Sequence, residues 1–176
     1  MKTKLNQSKL KLAIASAIAL GAAALASPAY AVGTATGTMT VTTSVANSCT
    51  ITTGPMTFAD YDPSAVVDLD ATATITSTCT SGGSTKMTMS QGDNALTGSS
   101  VTTPLRAMDD GNDNALGYFL YTNIARDIVW GDTADTGKAI TATGNADPTT
   151  VYGRIPKGQT PPAGSYTDSV LVTLTY

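Results

Sequence analysis

The side chains in this sequence that could do chemistry are aspartates and cysteines. The chain has 176 residues, of which 13 are acidic, all of them aspartates, and none is a histidine. Histidine is the usual general base and a common metal ligand near neutral pH, so its absence excludes His-dependent triads and His-ligated zinc. The pairs Asp60 with Asp62 and Asp68 with Asp70 have the residue type of paired catalytic carboxylates. The neighbouring Pro63 indicates a turn rather than a substrate cleft, so we expect no enzyme.

Two further segments could bind a ligand. Residues 109–114 read D-D-G-N-D-N, but they lack the glycine at position six and the distant bidentate acid of a calcium loop, so we predict a hairpin loop. Trp130, with Tyr118 and Tyr121, could form a platform for stacking sugars. A tryptophan in the core of a β-sandwich is the interpretation that we favour. The sequence therefore predicts neither a metal nor a cofactor.

Residues 1–31 have the pattern of a secretory signal peptide. Four lysines precede an apolar run over residues 12–26, and the small-x-small sequence A-Y-A ends at residue 31. Cleavage there leaves six basic against 13 acidic side chains, a balance that disfavours nucleic acid and acidic lipid as partners. The rest of the chain has no apolar stretch of the roughly 20 residues that a membrane span needs. We expect a protein that is exported through the periplasm to the cell surface.

Export explains the two cysteines, Cys49 and Cys79. In an oxidising compartment two cysteines most simply form one disulfide. A redox-active pair is the alternative, but reactive pairs usually lie close together as C-x-x-C. We therefore predict a structural disulfide that closes a loop of about 31 residues, worth about 3.5–4 kcal/mol in the chain-entropy estimate.

A period of two dominates the remaining sequence and predicts strands. Over residues 34–43 threonines alternate with Ala35, Gly37, Met39 and Val41, and Val45 continues that apolar face. Further strands are predicted over residues 49–53, 71–80, 86–90, 105–108, 116–122, 128–130, 139–143 and 149–155, with a helical turn over residues 63–70. Short strands separated by turn signals favour an antiparallel sandwich.

The last predicted strand, residues 166–176, carries apolar side chains on its even positions, with Asp168 as the exception. A strand of this kind needs a partner, because an open edge exposes unpaired backbone. The strand-like segment at the start of the exported chain could supply that partner to a neighbouring copy. Such a head-to-tail contact does not close on itself and builds a filament.

Five features together resemble the spore coat protein U-like domain family, which includes the major pilins of archaic chaperone–usher pili. They are the export signal, the threonine-alternating segment, the cysteine pair, G-R-I-P at residues 153–156, and the ending G-S-Y-T-D-S-V-L-V-T-L-T-Y. The resemblance implies an all-β fold, an incomplete immunoglobulin-like β-sandwich that lacks its last strand. It also implies a periplasmic chaperone that completes the fold temporarily, and an outer-membrane usher that exchanges the chaperone for a neighbouring subunit.

Carried over by position, the resemblance divides the exported chain into a donor-strand segment, residues 32–45, and a pilin domain, residues 46–176. It implies inward-facing donor residues at Ala35, Gly37, Met39, Val41 and Val45. It implies an acceptor groove lined by Val170, Val172, Leu174 and Tyr176. The expected function is that of a structural subunit of a pilus shaft, with identical or related pilins as partners, serving adhesion and biofilm formation. A secreted spore-coat or matrix protein and a monomeric carbohydrate-binding adhesin are the alternatives.

Overall fold

The computed structural model describes residues 32–176, so the predicted signal peptide, residues 1–31, lies outside the described residues. The chain divides into two units, residues 1–42 and 43–176. Residues 32–42 of the first unit form neither strand nor helix, and Met39 and Val41 are each 84% exposed. The strand predicted over residues 34–43 is therefore not formed in the structure. Alternation supplies one apolar face, but a strand also needs a neighbouring backbone with which to pair.

The second unit is built from eight strands, and the described residues contain no helix. The strands are β1 (Cys49–Thr53), β2 (Leu69–Cys79), β3 (Ser84–Met89), β4 (Arg106–Asp109), β5 (Ala115–Tyr121), β6 (Lys138–Thr141), β7 (Ala146–Ile155) and β8 (Val172–Thr175). The all-β prediction is confirmed. The helical turn predicted over residues 63–70 is wrong, because only residues 63–64 form a turn and Leu69 already begins β2.

The strands form two antiparallel sheets. One has five strands in the order β1-β2-β7-β5-β4, and the other has three in the order β6-β3-β8. The longest pairing joins β2 to β7, from Leu69 opposite Ile155 to Thr78 opposite Ala146. Along these strands threonines alternate with inward residues such as Ile75 and Val151, which are buried. This alternation gives each strand one face for the core and one for solvent.

The core lies between the two sheets and includes Trp130, which is fully buried. The indole Nε1 donates a hydrogen bond to the Met87 carbonyl oxygen at 2.9 Å, so the one polar group of the ring has a partner. The prediction of a core tryptophan is confirmed. The strand predicted around it, residues 128–130, is wrong, because only Val129 pairs there, in an isolated bridge with Tyr121.

Candidate functional site

The disulfide forms as predicted. Cys49 is the first residue of β1, and it lies directly opposite Cys79, the last residue of β2, in the antiparallel register. The two sulfur atoms are bonded. The bridge therefore fixes β1 to the five-stranded sheet at the point where the second unit begins to pair.

The C-terminal end of the chain departs from the prediction of one long strand over residues 166–176. Only Val172–Thr175 is a strand, paired with β3, and an isolated bridge joins Thr167 to Asp109 of β4. The predicted inward face is nevertheless present. Tyr166, Val170, Val172 and Leu174 pack against the core cluster, whereas Leu171 is 68% exposed and Tyr176 is 56% exposed.

One edge of this C-terminal segment has unused backbone groups. On its other edge, Ser90 donates to the Leu171 carbonyl, Asp93 donates to the Ser169 carbonyl, and Thr167 exchanges two bonds with Asp109. Successive residues of an extended chain direct their backbone groups to opposite edges. Accordingly, among the described residues, the alternate residues Tyr166, Asp168 and Val170 make no bond to another backbone group. We call residues 161–172 the C-terminal rim.

A second free segment follows β1, and together with Thr53, the last residue of that strand, we call it the N-terminal rim, residues 53–63. Gly54 donates to the Thr74 carbonyl, but within the described chain residues 55–61 make no backbone–backbone hydrogen bond. Met56 and Phe58 of this rim pack against the core cluster. They lie over Gly153 of β7, where a Cβ atom would collide with both side chains. The N-terminal rim can pack against the sheet because residue 153 is a glycine and has no side chain.

The two rims border an open groove between the sheets. The cavity that reaches the core has a volume of about 370 Å³, and we call it the main cavity. It has a floor of inward residues from four strands and walls that include Met56, Phe58, Val170 and Val172. The floor residues are Ala73, Ile75, Met89, Tyr118, Leu120 and Val151. A second cavity of about 600 Å³ continues it and shares Met56, Phe58, Met108 and Tyr166 with the first. The result is one long cleft with an apolar floor and with walls that carry both apolar and polar groups.

Two polar groups are buried beside this groove. Burial lowers the pKa of Arg106 to about 10, and the nearby Tyr118, Asp168 and Asp132 act in the opposite direction. Burial also raises the pKa of the Tyr118 hydroxyl, and its hydrogen bond to Asp168 adds to that rise. At neutral pH, therefore, Arg106 is charged and Tyr118 is a neutral hydrogen-bond donor.

Of the four residues predicted to line an acceptor groove, Val170 and Val172 line the main cavity. Leu174 packs against the core cluster without lining that cavity, and Tyr176 is exposed. The predicted donor residues Ala35, Gly37, Met39, Val41 and Val45 are all exposed. Sequence reasoning missed the floor and the whole N-terminal rim. The alternation of β2, β3, β5 and β7 could have identified the inward residues, but not which of them border an opening.

One aspartate of each pair that could act in catalysis is held by structural partners. Asp70 accepts two hydrogen bonds from Arg154, at 2.8 and 3.0 Å, and forms an ion pair with Arg126 at 3.2 Å. The Arg154 hydrogen bond lowers the pKa of Asp70. Asp62 accepts bonds from the backbone and hydroxyl of Ser64, which lower its pKa. These two carboxylates are held as acceptors in local networks.

The acidic segment over residues 109–114 is a hairpin loop between β4 and β5, as predicted. Asp110 organises it by accepting hydrogen bonds from Asn112 and Asn114, and the Asn114 side chain is the largest cause of its lowered pKa. Within residues 32–176 no three acidic or cysteine side chains come together as metal ligands. Over the same range, no helix has the length and apolar character needed to cross a bilayer.

This architecture is an immunoglobulin-like sandwich with an open groove, and the comparisons agree with it. Residues 35–173 match the Spore Coat Protein U domain. The chain is 36% identical over 143 residues to Protein U of Myxococcus xanthus, covering 76% of this chain and 80% of that protein. The chain therefore belongs to the Spore Coat Protein U domain family.

A solved structure shows the same fold. It is the crystal structure of the CsuC-CsuE chaperone-tip adhesion subunit pre-assembly complex from archaic chaperone-usher Csu pili of Acinetobacter baumannii. The TM-score is 0.55 at 18% identity, and the match covers 75% of this chain and 40% of that chain. The predicted immunoglobulin-like fold and the predicted family are both confirmed.

Proposed function

We propose that this chain is the structural subunit of an extracellular fibre, a pilus shaft, in which each copy receives the N-terminal strand of the next. The open groove between the sheets carries the proposal. Its floor is apolar, and each rim offers backbone groups with no backbone partner among the described residues. An added strand satisfies both needs, because its backbone pairs along the rims while alternate side chains enter the groove.

The donor in this proposal is the segment over residues 32–45. Its inward residues are Ala35, Gly37, Met39, Val41 and Val45, and the last three are each more than 80% exposed in the single chain. Burying a methionine or valine contributes about 1.5–3 kcal/mol. Backbone hydrogen bonds add about 0.5–1.5 kcal/mol each. A strand of this length therefore yields on the order of 10 kcal/mol before the cost of ordering it.

The acceptor is the groove with its two rims. Val170 and Val172 form one wall, and Leu174 and Tyr176 extend that face toward the C-terminus. Because donor and acceptor are different surfaces of one chain, the contact is head-to-tail and repeats without closing. Identical or related subunits are then the main partners, and the product is a filament.

Assembly in this proposal follows the chaperone–usher route. A periplasmic chaperone covers the groove first, and an outer-membrane usher replaces it with the donor strand of another subunit. The support is the family of the chain and its fold, which is shared with a protein solved in a chaperone–subunit complex from such pili. The fibre stands on the cell surface and serves adhesion and biofilm formation, with a structural rather than an enzymatic role.

A spore-coat or matrix protein is the second candidate, favoured by the likeness to Protein U of Myxococcus xanthus. The two candidates differ in the location of the polymer, since a pilin forms fibres that extend from the cell and a coat protein forms a layer around it. Immuno-electron microscopy of intact cells separates the two, because a pilin labels thin fibres and a coat protein labels a continuous layer. A monomeric sugar-binding adhesin has less support, because Trp130 is fully buried and Tyr118 is only 5% exposed.

The deciding experiment deletes residues 32–43 in cells that produce the fibre. We expect exported subunit in the periplasm but no fibres, and no ladder of detergent-resistant oligomers in unboiled samples. A more specific test compares two double variants of this segment. M39D/V41D places charge on the inward face, and T38A/T40A changes the outward face. Only the first pair of changes abolishes the ladder. Fibres of normal length in the deletion strain would show that the donor assignment is wrong.

A further inference from the structure

Asp168 is the residue that strand addition alone does not explain. It is a half-buried carboxylate on the otherwise apolar inner face of the C-terminal rim, and it lines the main cavity with Val170 and Val172. A carboxylate removed from water is costly unless hydrogen bonds compensate it. Its partners should therefore reveal why an acidic residue lies there.

Those partners come from both sheets. Oδ1 accepts bonds from the backbone N–H groups of Asp93 at 2.9 Å and Asn94 at 3.2 Å, and from the Asn94 Nδ2 at 3.3 Å. Oδ2 accepts a bond from the Tyr118 hydroxyl at 2.7 Å. Asp93 and Asn94 follow β3, whereas Tyr118 belongs to β5 in the other sheet. The carboxylate therefore ties the C-terminal rim to both halves of the sandwich.

The loop after β3 has the shape needed for this contact. Gly92 has a φ of +85°, and a Cβ there would collide with the Asp168 carboxylate, so the loop closes on the side chain only because the residue is glycine. In addition, the Leu171 N–H donates a hydrogen bond to the Ser90 Oγ at 2.9 Å. All of these bonds leave the backbone groups of Tyr166, Asp168 and Val170 free.

We propose that Asp168 is a positioning residue for strand addition, which holds the C-terminal rim in its binding-competent place before the donor strand arrives. Before Val172 the rim pairs with other backbone only at isolated points, such as Thr167 with Asp109, so side-chain anchors contribute to its order. Ordering a binding surface in advance removes that entropy cost from the binding step. The inference rests on the proposed function and identifies what keeps its groove accessible.

The test measures how fast the groove takes up a donor. The protein is the exported chain, residues 32–176, carrying M39D and V41D so that its own segment cannot serve as donor. The probe is a fluorescent peptide with the native sequence of residues 32–45. Stopped-flow fluorescence gives the association rate constant, and competition with unlabelled peptide gives the dissociation rate constant.

In this background, Asp168→Ala should slow association about tenfold, because several charge-assisted hydrogen bonds are lost. The dissociation rate should change by less than about twofold, because in the complex the added strand itself holds the rim. Asp168→Asn keeps an acceptor at Oδ1 and should restore most of the rate. Ser169→Ala is the matched control, since that exposed side chain makes no hydrogen bond in the described structure, and it should leave both rates unchanged.

An association rate for Asp168→Ala equal to that of the parent, or an effect confined to dissociation, would overturn the positioning role. If Asp168→Ala fails to fold, Tyr118→Phe decides, since it removes one hydroxyl and should still slow association about threefold. If the parent itself takes up no peptide, the proposed function fails and the positioning role with it. If the parent binds the peptide, and Tyr118→Phe and Asp168→Ala bind it as fast as the parent does, only the positioning role is refuted and the proposed function stands.

Discussion

The Nη2 atom of Arg106 lies 2.6 Å from the Ser90 carbonyl oxygen and donates a hydrogen bond to it. Arg106 belongs to β4 of the five-stranded sheet, whereas Ser90 directly follows β3 of the three-stranded sheet. The same guanidinium donates to the carbonyls of Met89 at 3.0 Å and Trp130 at 2.8 Å. One buried side chain thus joins the two sheets next to the C-terminal rim.

Replacing this bridge should be costly. Arg106→Leu leaves buried carbonyl oxygens without donors, and because each such group costs about 1–3 kcal/mol, we expect a loss of at least about 3 kcal/mol of unfolding free energy. Arg154→Leu is the control on an exposed ion pair, with an expected loss below about 1 kcal/mol. Urea unfolding of the two variants measures the difference. Equal losses would contradict a special role for Arg106.

The disulfide should stabilise the domain by constraining its unfolded state. For a loop of about 31 residues the chain-entropy estimate gives about 3.5–4 kcal/mol. We expect Cys49→Ala and Cys79→Ala to lose similar amounts, and the double variant to lose no more than either, because one bond is removed in each case. Urea unfolding and subunit abundance in the periplasm are the measurements. Unchanged abundance of Cys49→Ala would argue against a folding role.

Position 153 should be sensitive to a single methyl group. Gly153→Ala places a Cβ against the Met56 sulfur and the Phe58 ring, so the N-terminal rim must shift. Overpacking of this kind costs about 1–3 kcal/mol. We expect weaker binding of the peptide of residues 32–45 to the M39D/V41D chain, measured by fluorescence anisotropy. Thr150→Ala, on the outer face of the same strand, should bind the peptide like the parent chain.

Stability should fall in acid but not near neutrality. The chain has no histidine, and the folded-state pKa of Asp70 is lowered, first by its hydrogen bond to Arg154. A lowered carboxyl pKa contributes stability above the unfolded value of about 3.9, and this contribution is lost as the pH falls through the lower folded value. Unfolding free energy should therefore be level between about pH 5 and 8 and should decline below about pH 4.

The variant Asp70→Asn isolates the contribution of the Asp70–Arg154 ion pair to the unfolding free energy. It should be about 0.5–1 kcal/mol less stable than the parent at pH 7, a small value because the carboxylate is partly exposed. The two proteins should converge at the lowest pH, where Asp70 is protonated in both states of the parent. Asp135→Asn, at an exposed position, should follow the parent throughout. A constant difference between Asp70→Asn and the parent down to pH 2.5 would refute the assignment.

Local alternation predicted most of the fold. The strands around Ile75 and Val151 were predicted because threonines alternate with inward apolar residues there, and this pattern depends on neighbouring positions alone. The pairing of Cys49 with Cys79 followed from export and residue type. The family followed from the export signal, the threonine-alternating segment, the cysteine pair, the residues around Gly153 and the last strand.

The failures occur where a long-range partner decides the structure. Residues 34–42 alternate without a break but have no paired backbone in the single chain, so the pattern does not produce a strand. The segment before Val172 is held by Asp168, by the loop after β3 and by a single bridge to β4 instead of a continuous ladder with a neighbouring strand. The N-terminal rim was missed because the alternation of Met56 and Phe58 is too short to indicate a strand, and the missing side chain at Gly153, distant in sequence, is what makes room for them.

The position of the disulfide has a mechanical consequence. Cys49 is the first residue of β1, and its bond leads to Cys79, the last residue of β2, which directly follows the end of the pairing with β7 at Thr78. A pull on the chain ahead of Cys49 is therefore transmitted covalently to the end of β2 as well as to β1. Because the bond joins the two strands at the end where the pull acts, tension can neither peel β1 away from β2 nor lengthen the loop that includes the N-terminal rim.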